Sequence, residues 1–279
     1  FLRIPTEKTK VGAVVATAVA VSGRVERQLG GAGEKISLKP NDQVKQGDRV
    51  FSGPDASLKL EFVDGSYVQL QRDTIVTLKL LQGQVAARLS SVQILVEQGR
   101  VETMVKPLKS KVMRYEVLTP TVQIGVRGTN FRVNFDAHDA LSRSEVLDGA
   151  VNARNELGSE NIPKDFGAVI LPNAKPLPPI PLLPAPNIGD IPSLVDRSPM
   201  RLKWENTDGA MQYRVQLATS ADFSNILADN LVATPEASFS DVANGRYYLR
   251  VRAIDKNGLE GKNAERAIET EPPVALRPR

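Results

Sequence analysis

The chain has 279 residues and a mass of 30.3 kDa, 41% of it hydrophobic and 24% charged. These proportions exclude wholesale disorder and a multi-span helical membrane protein, and they leave room for two ordinary domains. Cysteine is absent and histidine occurs once, at His138, so zinc clusters, thiol nucleophiles and a Ser-His or Cys-His relay elsewhere lack their parts.

The net charge of +4 comes from 23 basic against 19 acidic residues up to position 171 and 13 against 13 beyond it. So diffuse an excess is not the dense Lys/Arg stripe that neutralises phosphates, and nucleic acid is not an expected partner. Near the start, Lys8 and Lys10 precede an apolar run from Val11 to Val21 that imitates a signal peptide. Its wealth of Val, its lack of Leu and Met, and the alternation in Ser22-Gly-Arg-Val-Glu-Arg27 predict a strand instead. A chain that begins at Phe1 reads as a mature or truncated form of a longer protein.

Up to residue 171 almost every apolar run has period two, and no helical stripe is sustained, so the fold class is all-β. Strands are predicted at 57–63, 67–71, 75–80, 84–89, 92–97, 101–105, 115–118, 130–135, 144–147 and 150–154, punctuated by Asp64-Gly65, Gln82-Gly83, Gln98-Gly99 and Asp148-Gly149. Gly65, Gly83 and Gly99 are spaced like solenoid rungs, but serial hairpins in a sandwich would look the same. Nine of the 19 prolines then fall between Pro172 and Pro199. Such a run favours extended polyproline II and reads as a semi-rigid spacer or, alternatively, as a proline-rich ligand; its apolar residues can also lie along a domain surface. The expected division is an N-terminal remnant at 1–13, a β domain at 14–171, a Pro-rich linker at 172–196, a second β domain at 197–271 and a tail at 272–279. In the second domain, strands are predicted at 200–204, 212–218, 237–240 and 246–253.

Two stretches take the reading further. The first is Gly47-Asp-Arg-Val-Phe51 running to Phe62-Val-Asp-Gly-Ser-Tyr67; the second is Thr119-Pro-Thr-Val-Gln-Ile-Gly-Val-Arg-Gly-Thr-Asn-Phe-Arg-Val133. Together they resemble the FecR domain, over about residues 14–155. The segments around Trp204, Ala218–Ser224 and Asn244–Ala253 are similar to a fibronectin type III domain, an immunoglobulin-like sandwich. Leu2-Arg-Ile-Pro5 is similar to the end of a LysM peptidoglycan-binding module.

The resemblance implies a FecR-like β-solenoid or β-rich domain joined to a sandwich, with no chemistry of its own and no cofactor. It implies a periplasmic setting and an envelope partner, either an inner-membrane sensor or an outer-membrane transporter. Peptidoglycan contact would come through a missing LysM module. In iron-transport regulators the FecR domain receives a signal from a TonB-dependent transporter; this chain shows neither a sigma-factor-binding domain nor a membrane span, so its expected role is scaffold or signalling accessory. A wall-associated spacer is the alternative, and an envelope glycan-active enzyme a distant one.

The residues singled out as motif positions and a potential interface are Asp48, Asp64, Gly65, Arg127, Gly128 and Thr129. Arg127 could grip an anion through its planar fork, but between Gly125 and Gly128 it is better read as a turn lock. Asp48 and Asp64 could be proposed as a glycosidase pair, yet each stands beside a glycine at a turn position, which accounts for both without catalysis. His138 sits between Asp136 and Asp139 on an expected exposed loop, too mobile a setting for a metal. Asp255-Lys-Asn-Gly258 fails the calcium-loop pattern. Trp204 is expected in the second core rather than as a sugar platform. Arg250 and Arg252, with Arg214 on a neighbouring strand, read as a solvated sheet face with pairing acids or, less simply, as a ligand patch.

Overall fold

The structure is a computed structural model that describes residues 15–84, 88–107, 114–126, 128–195, 199–240 and 242–270. The first unit contains β1 (Val15–Ser22), β2 (Val25–Gln28), β3 (Ile36–Ser37), β4 (Gln43–Lys45), β5 (Arg49–Ser52), β6 (Ser57–Phe62), β7 (Tyr67–Leu70), β8 (Ile75–Gln84) and β9 (Arg88–Met104). It continues with β10 (Arg114–Leu118), β11 (Gln123–Val126), β12 (Asn130–Asp136), β13 (Leu141–Asp148), β14 (Ala150–Asn155), β15 (Gly158–Pro163), β16 (Phe166–Ile170) and β17 (Ile180–Pro181). The second unit contains β18 (Leu194–Val195), β19 (Met200–Lys203), β20 (Gln212–Ala218), β21 (Ile226–Val232), β22 (Glu236–Phe239), β23 (Arg246–Ile254) and β24 (Ala264–Thr270).

The first unit is two facing sheets. Sheet one runs β4-β1-β6-β7-β9-β12-β13-β16-β17. Sheet two runs β3-β2-β5-β8-β9-β10-β11-β14-β15. Pairing between neighbours is antiparallel except for β9–β10, which is parallel. That pattern settles the open choice between stacked rungs and facing sheets in favour of facing sheets, because solenoid rungs stack in parallel register.

Alternate residues of each strand enter the space between the sheets, where Leu58, Leu60, Val68, Leu70, Val76 and Leu78 meet Ile94, Val101, Val117, Phe131, Val133 and Val151. The tight turns expected at Gln82-Gly83 and Gln98-Gly99 are absent, because β8 and β9 run through them. β9 belongs to both sheets: Gln98 pairs with Ile75 in sheet two and Gly99 with Phe135 in sheet one. Gly99 turns that corner at φ +87°, and a Cβ there would lie 2.5 Å from Thr74 Oγ1 and 2.6 Å from the Asp73 carbonyl oxygen. Only glycine fits both the dihedral and the space. The expected continuous N-terminal strand is likewise broken at Gly23, sending β1 to sheet one and β2 to sheet two.

The second unit is a smaller sandwich, with a five-stranded sheet β18-β24-β23-β20-β21 and the pair β19-β22. Met200, Leu202, Ala237 and Phe239 pack across from Val215, Leu217, Leu249, Val251 and Ile268. Trp204 lies in this core, edge-on to Tyr213 with ring centroids 5.4 Å apart.

The proline-rich segment is stitched to both units rather than spanning open solvent. Leu177 donates its amide to the Val169 carbonyl and Leu182 to that of Asp165, while Ile180–Pro181 adds to sheet one. Further on, Ile188, Ile191 and Val195 enter the second core.

Candidate functional site: the motif end and the charge seam

The two halves of the sequence motif meet at one end of sheet one. The Asp64-Gly65-Ser66 turn joins β6 to β7; Asp64 accepts from the Ser66 amide and hydroxyl, each at 2.9 Å. Ser66 Oγ in turn accepts the Lys106 amide at 3.0 Å, and Val105 exchanges backbone hydrogen bonds with Thr129. Thr129 is buried, its hydroxyl donating to the Ala150 carbonyl at 3.0 Å. Gly128 has φ +65°, and a Cβ there would lie 2.8 Å from Pro107 Cα. Asp64, Gly65, Gly128 and Thr129 therefore form one junction, bridged by residues 104–107.

Asp48 belongs to a different turn, where its carboxylate accepts the Gly30 amide at 3.0 Å and the Lys45 amide at 2.9 Å. Both carboxylates are spent on local donors. Arg127 and the LysM-like tetrapeptide lie outside the described residues. His138 is exposed on the β12–β13 turn, and among the described residues no group of three His, Cys, Asp or Glu side chains is arranged to hold a metal ion.

The densest chemistry lies elsewhere, on the outer face of sheet one. There, alternation places Gln69 opposite Glu102, Glu102 opposite Arg132, and Arg132 opposite Glu145, with Arg100, Asn134 and Arg143 in the next row. The second unit lays its five-stranded sheet over this face and brings Arg214, Gln216, Arg250, Arg252 and Asp229, together with Glu260 from the loop after β23. The solvated face expected for Arg214, Arg250 and Arg252 is thus overturned: Arg252 is 0% and Arg250 8% exposed, because a sheet from the same chain covers them.

Glu260, 1% exposed, lies at the centre of the seam. Its carboxylate is 2.9 Å from Arg100, 2.9 Å from Arg252 and 3.5 Å from Arg132, and it also pairs with Arg214. Glu102 takes Arg252 at 2.7 Å and Arg250 at 3.5 Å, and Asp229 takes Arg214 at 2.6 Å. Arg132, 0% exposed, crosses the seam to donate to the Glu260 carbonyl at 3.1 Å and that of Gly261 at 2.9 Å. Gln71 accepts from Gln216 at 3.0 Å, and the Arg250 guanidinium stacks 3.6 Å from the Phe223 ring centroid. A small apolar contact of Leu182, Leu259 and Val169 flanks the charges.

Burial alone would raise the Glu102 pKa, but Arg252, Arg250 and Arg132 overcome it and hold the group at about 2. Glu260 is held well below the ordinary value in the same way, burial being outweighed by its arginines. Arg132 is pushed down to about 9, by burial first and then by Arg252; it remains a cation at neutral pH. The network is charged, and its central members Glu260, Arg132 and Arg252 are buried. Desolvation offsets much of the Coulomb gain in such a network, so the number of its ion pairs overstates what they add to stability.

Nothing in this arrangement presents an activated nucleophile. The sequence signal for the seam was the charge alternation itself: Arg250 and Arg252 in one domain, with Arg100, Glu102, Arg132 and Glu145 in the other. What a single strand cannot reveal is that the two faces cover each other.

Residues 48–152 match the family described as FecR protein. No curated protein matches the chain. Among solved structures, two crystal structures of a provisionally assigned anti-sigma factor from Parabacteroides distasonis are similar at 16% identity, with TM-scores of 0.38 and 0.39, covering 46% of this chain and 57% of theirs. The chain thus spans little over half the length of those relatives. The extracellular domain of a provisionally assigned hybrid two-component system from B. thetaiotaomicron is similar at 10% identity and a TM-score of 0.23, covering 78% of this chain and 43% of that one. The FecR family match, residues 48–152, falls on the strands that build the motif junction.

Proposed function

We propose that this chain is a non-enzymatic accessory of a cell-envelope signalling system, acting on the periplasmic side through its FecR domain. The observation that carries the reading is the FecR match over residues 48–152. The geometry agrees with it. Asp48 and Asp64 serve backbone amides, which supports reading the motif as a scaffold.

The seam joins the second unit to the first and uses up much of the outer face of sheet one. Among the described residues, the surfaces open to a partner include the outer face of sheet two and the end bearing Asp64, Gly65 and Gly128. An inner-membrane sensor or an outer-membrane transporter is the class of partner that fits such a role.

The test is crosslinking of the full-length protein in intact cells, with capture and domain-level mapping of what is attached. Contacts from residues 14–155 to one membrane sensor or transporter support the accessory reading. Recovery of peptidoglycan alone, with no protein contact through that domain, replaces it with a wall-bound spacer.

A further inference from the structure

The proline-rich segment passes from one unit to the other within a single peptide link. Leu182 donates its amide to the Asp165 carbonyl of the first unit at 2.9 Å, whereas the Leu183 carbonyl accepts the Lys262 amide of the second at 3.0 Å. Both attachments fit closely: a Cβ on Gly167 would lie 3.0 Å from Leu182 Cδ2, and one on Gly261 would lie 2.6 Å from the Leu183 carbonyl oxygen. Two bodies held on adjacent residues cannot slide apart, but they can turn about the link between them. Arg132, which donates across the seam to the Glu260 and Gly261 carbonyls, stands beside this link, where a turn moves atoms least.

The opposite rim of the seam lies along β1, β6 and β7. From β16 at the link, β6 is five strands away, about 24 Å at the usual strand spacing. The rim is held by isolated contacts: Lys59 with the exposed Asp222, the Ser22 hydroxyl donating to the Ile226 carbonyl at 3.1 Å, and Arg72 donating to that of Asp229 at 2.9 Å.

Between rim and link, each face has ion pairs of its own. Glu260 holds Arg214 and Arg252 within the second unit, where Arg250 also holds Glu265, and Arg100 holds Glu145 within the first. What crosses is the pairing of Glu102 with Arg250 and Arg252 and of Glu260 with Arg100 and Arg132. Charged groups regain hydration when such a face is uncovered, so parting it costs less than parting an apolar face of equal area. A cleft of about 880 Å³ between the units, lined in part by Arg100, Arg214 and Glu260, already brings solvent space to the middle of the seam.

We propose that the seam is a hinged closure: the second unit turns about the Leu182–Leu183 link, parts from the rim at Lys59 and uncovers the outer face of sheet one. This goes beyond the accessory reading and does not depend on it. Salt shifts the balance toward the open form, because opposite charges that separate gain an ion atmosphere they lack when paired.

The chain has no cysteine, so paired spin labels report only the positions chosen for them. Labels on Glu61→Cys and Ala221→Cys, both exposed, span the rim and leave Lys59 and Asp222 in place; labels on Lys164→Cys and Lys262→Cys span the link. Pulsed electron paramagnetic resonance on the full chain should give two rim distances, the longer population growing about twofold or more between about 0.05 M and 1 M sodium chloride, and one unchanged distance at the link. Lys59→Glu, which sets like charges against each other at Asp222, should enlarge the longer population at fixed salt. Small-angle X-ray scattering of the unaltered protein is free of any effect of the labels, and its radius of gyration should rise over the same salt range and fall back on dilution. A single short rim distance at every salt concentration, a link distance that lengthens along with the rim, or a radius of gyration indifferent to salt overturns the proposal.

Discussion

The two outer faces of the first unit are written in the same alternating pattern and meet opposite fates. Sheet two presents Glu97 with Arg49 at 2.7 Å and Arg154 with Gln123 at 3.0 Å, on a face that no other part of the described chain covers with a second sheet. Sheet one presents Gln69, Glu102, Arg132 and Glu145, and the second unit closes over them. The residue types are alike, but the dielectric around them is not. An ion pair near water contributes little because solvent already satisfies both ions, whereas one under a second sheet leaves each charge dependent on its partner.

The sharpest way to break the seam side of this comparison is to remove its central anion. Glu260→Gln leaves Arg100, Arg132, Arg214 and Arg252 without the carboxylate they share, and should cost about 3–5 kcal/mol in urea-induced unfolding. Protease cutting within residues 172–196 should rise with it, since the linker is held by both units. Glu97→Gln, which removes a half-solvated partner of Arg49 and Thr77 on the other face, should stay within about 1 kcal/mol. Equal losses in the two variants would show that burial does not separate the faces.

β9 supplies charges to both faces, Glu97 before its corner and Arg100 and Glu102 after it. Gly99→Ala forces a side chain into φ +87° and against Thr74, so the strand must shift on one side or the other. A loss of about 1–3 kcal/mol is expected, read as a lower urea midpoint. If the two faces are positioned through this corner, hydrogen-exchange protection falls in both 92–98 and 99–104.

Acid distinguishes the faces without any substitution. Glu102 is held at about 2 against an ordinary 4.5, so its contribution is complete above about pH 4.5 and drains away as pH falls toward 2. The shift corresponds to about 3 kcal/mol for that one group. Glu260 is displaced in the same direction and adds to the same acid limb. Stability measured from pH 6 down to pH 2.5 should fall steeply in the native chain, and Glu102→Gln should flatten part of that slope. An unchanged slope would mean that Glu102 is not held by its arginines.

The all-β class and the motif turns were legible because each depends on local pattern. Period-two runs mark strands, and Asp64-Gly65 marks a hairpin whatever lies around it. Trp204 was legible for a similar reason, since a lone tryptophan at the end of a sandwich strand has a core to enter. Gly99 was misread as a turn because a positive-φ glycine serves equally well in a hairpin and at a corner between two sheets. Arg252 was misread because alternation shows that a residue leaves one core but says nothing about what meets it outside. The motif residues resemble a family because they build its turns, while the seam is specific to the pairing of these two units and left no local mark beyond its charges.

The smallest expected effect lies at the edge of the seam, where burial fades. Lys59 on β6 pairs with Asp222 of the second unit at 2.8 Å, with its ammonium 4.2 Å from the Tyr67 ring centroid, and the Asp222 side chain is 54% exposed. This contact crosses between the same two units as the Glu260 network, yet water reaches one of its partners. If solvent access, not the crossing itself, sets the strength of a bridge, Lys59→Met should cost less than about 1 kcal/mol, and raised salt should erase most of the difference. A double-mutant cycle with Asp222→Asn isolates the pair from the packing of the lysine stem. A coupling comparable to that of Glu260 with Arg252 would shift the explanation from local burial to cooperation along the whole seam, with the edge pair held rigid by the charges behind it.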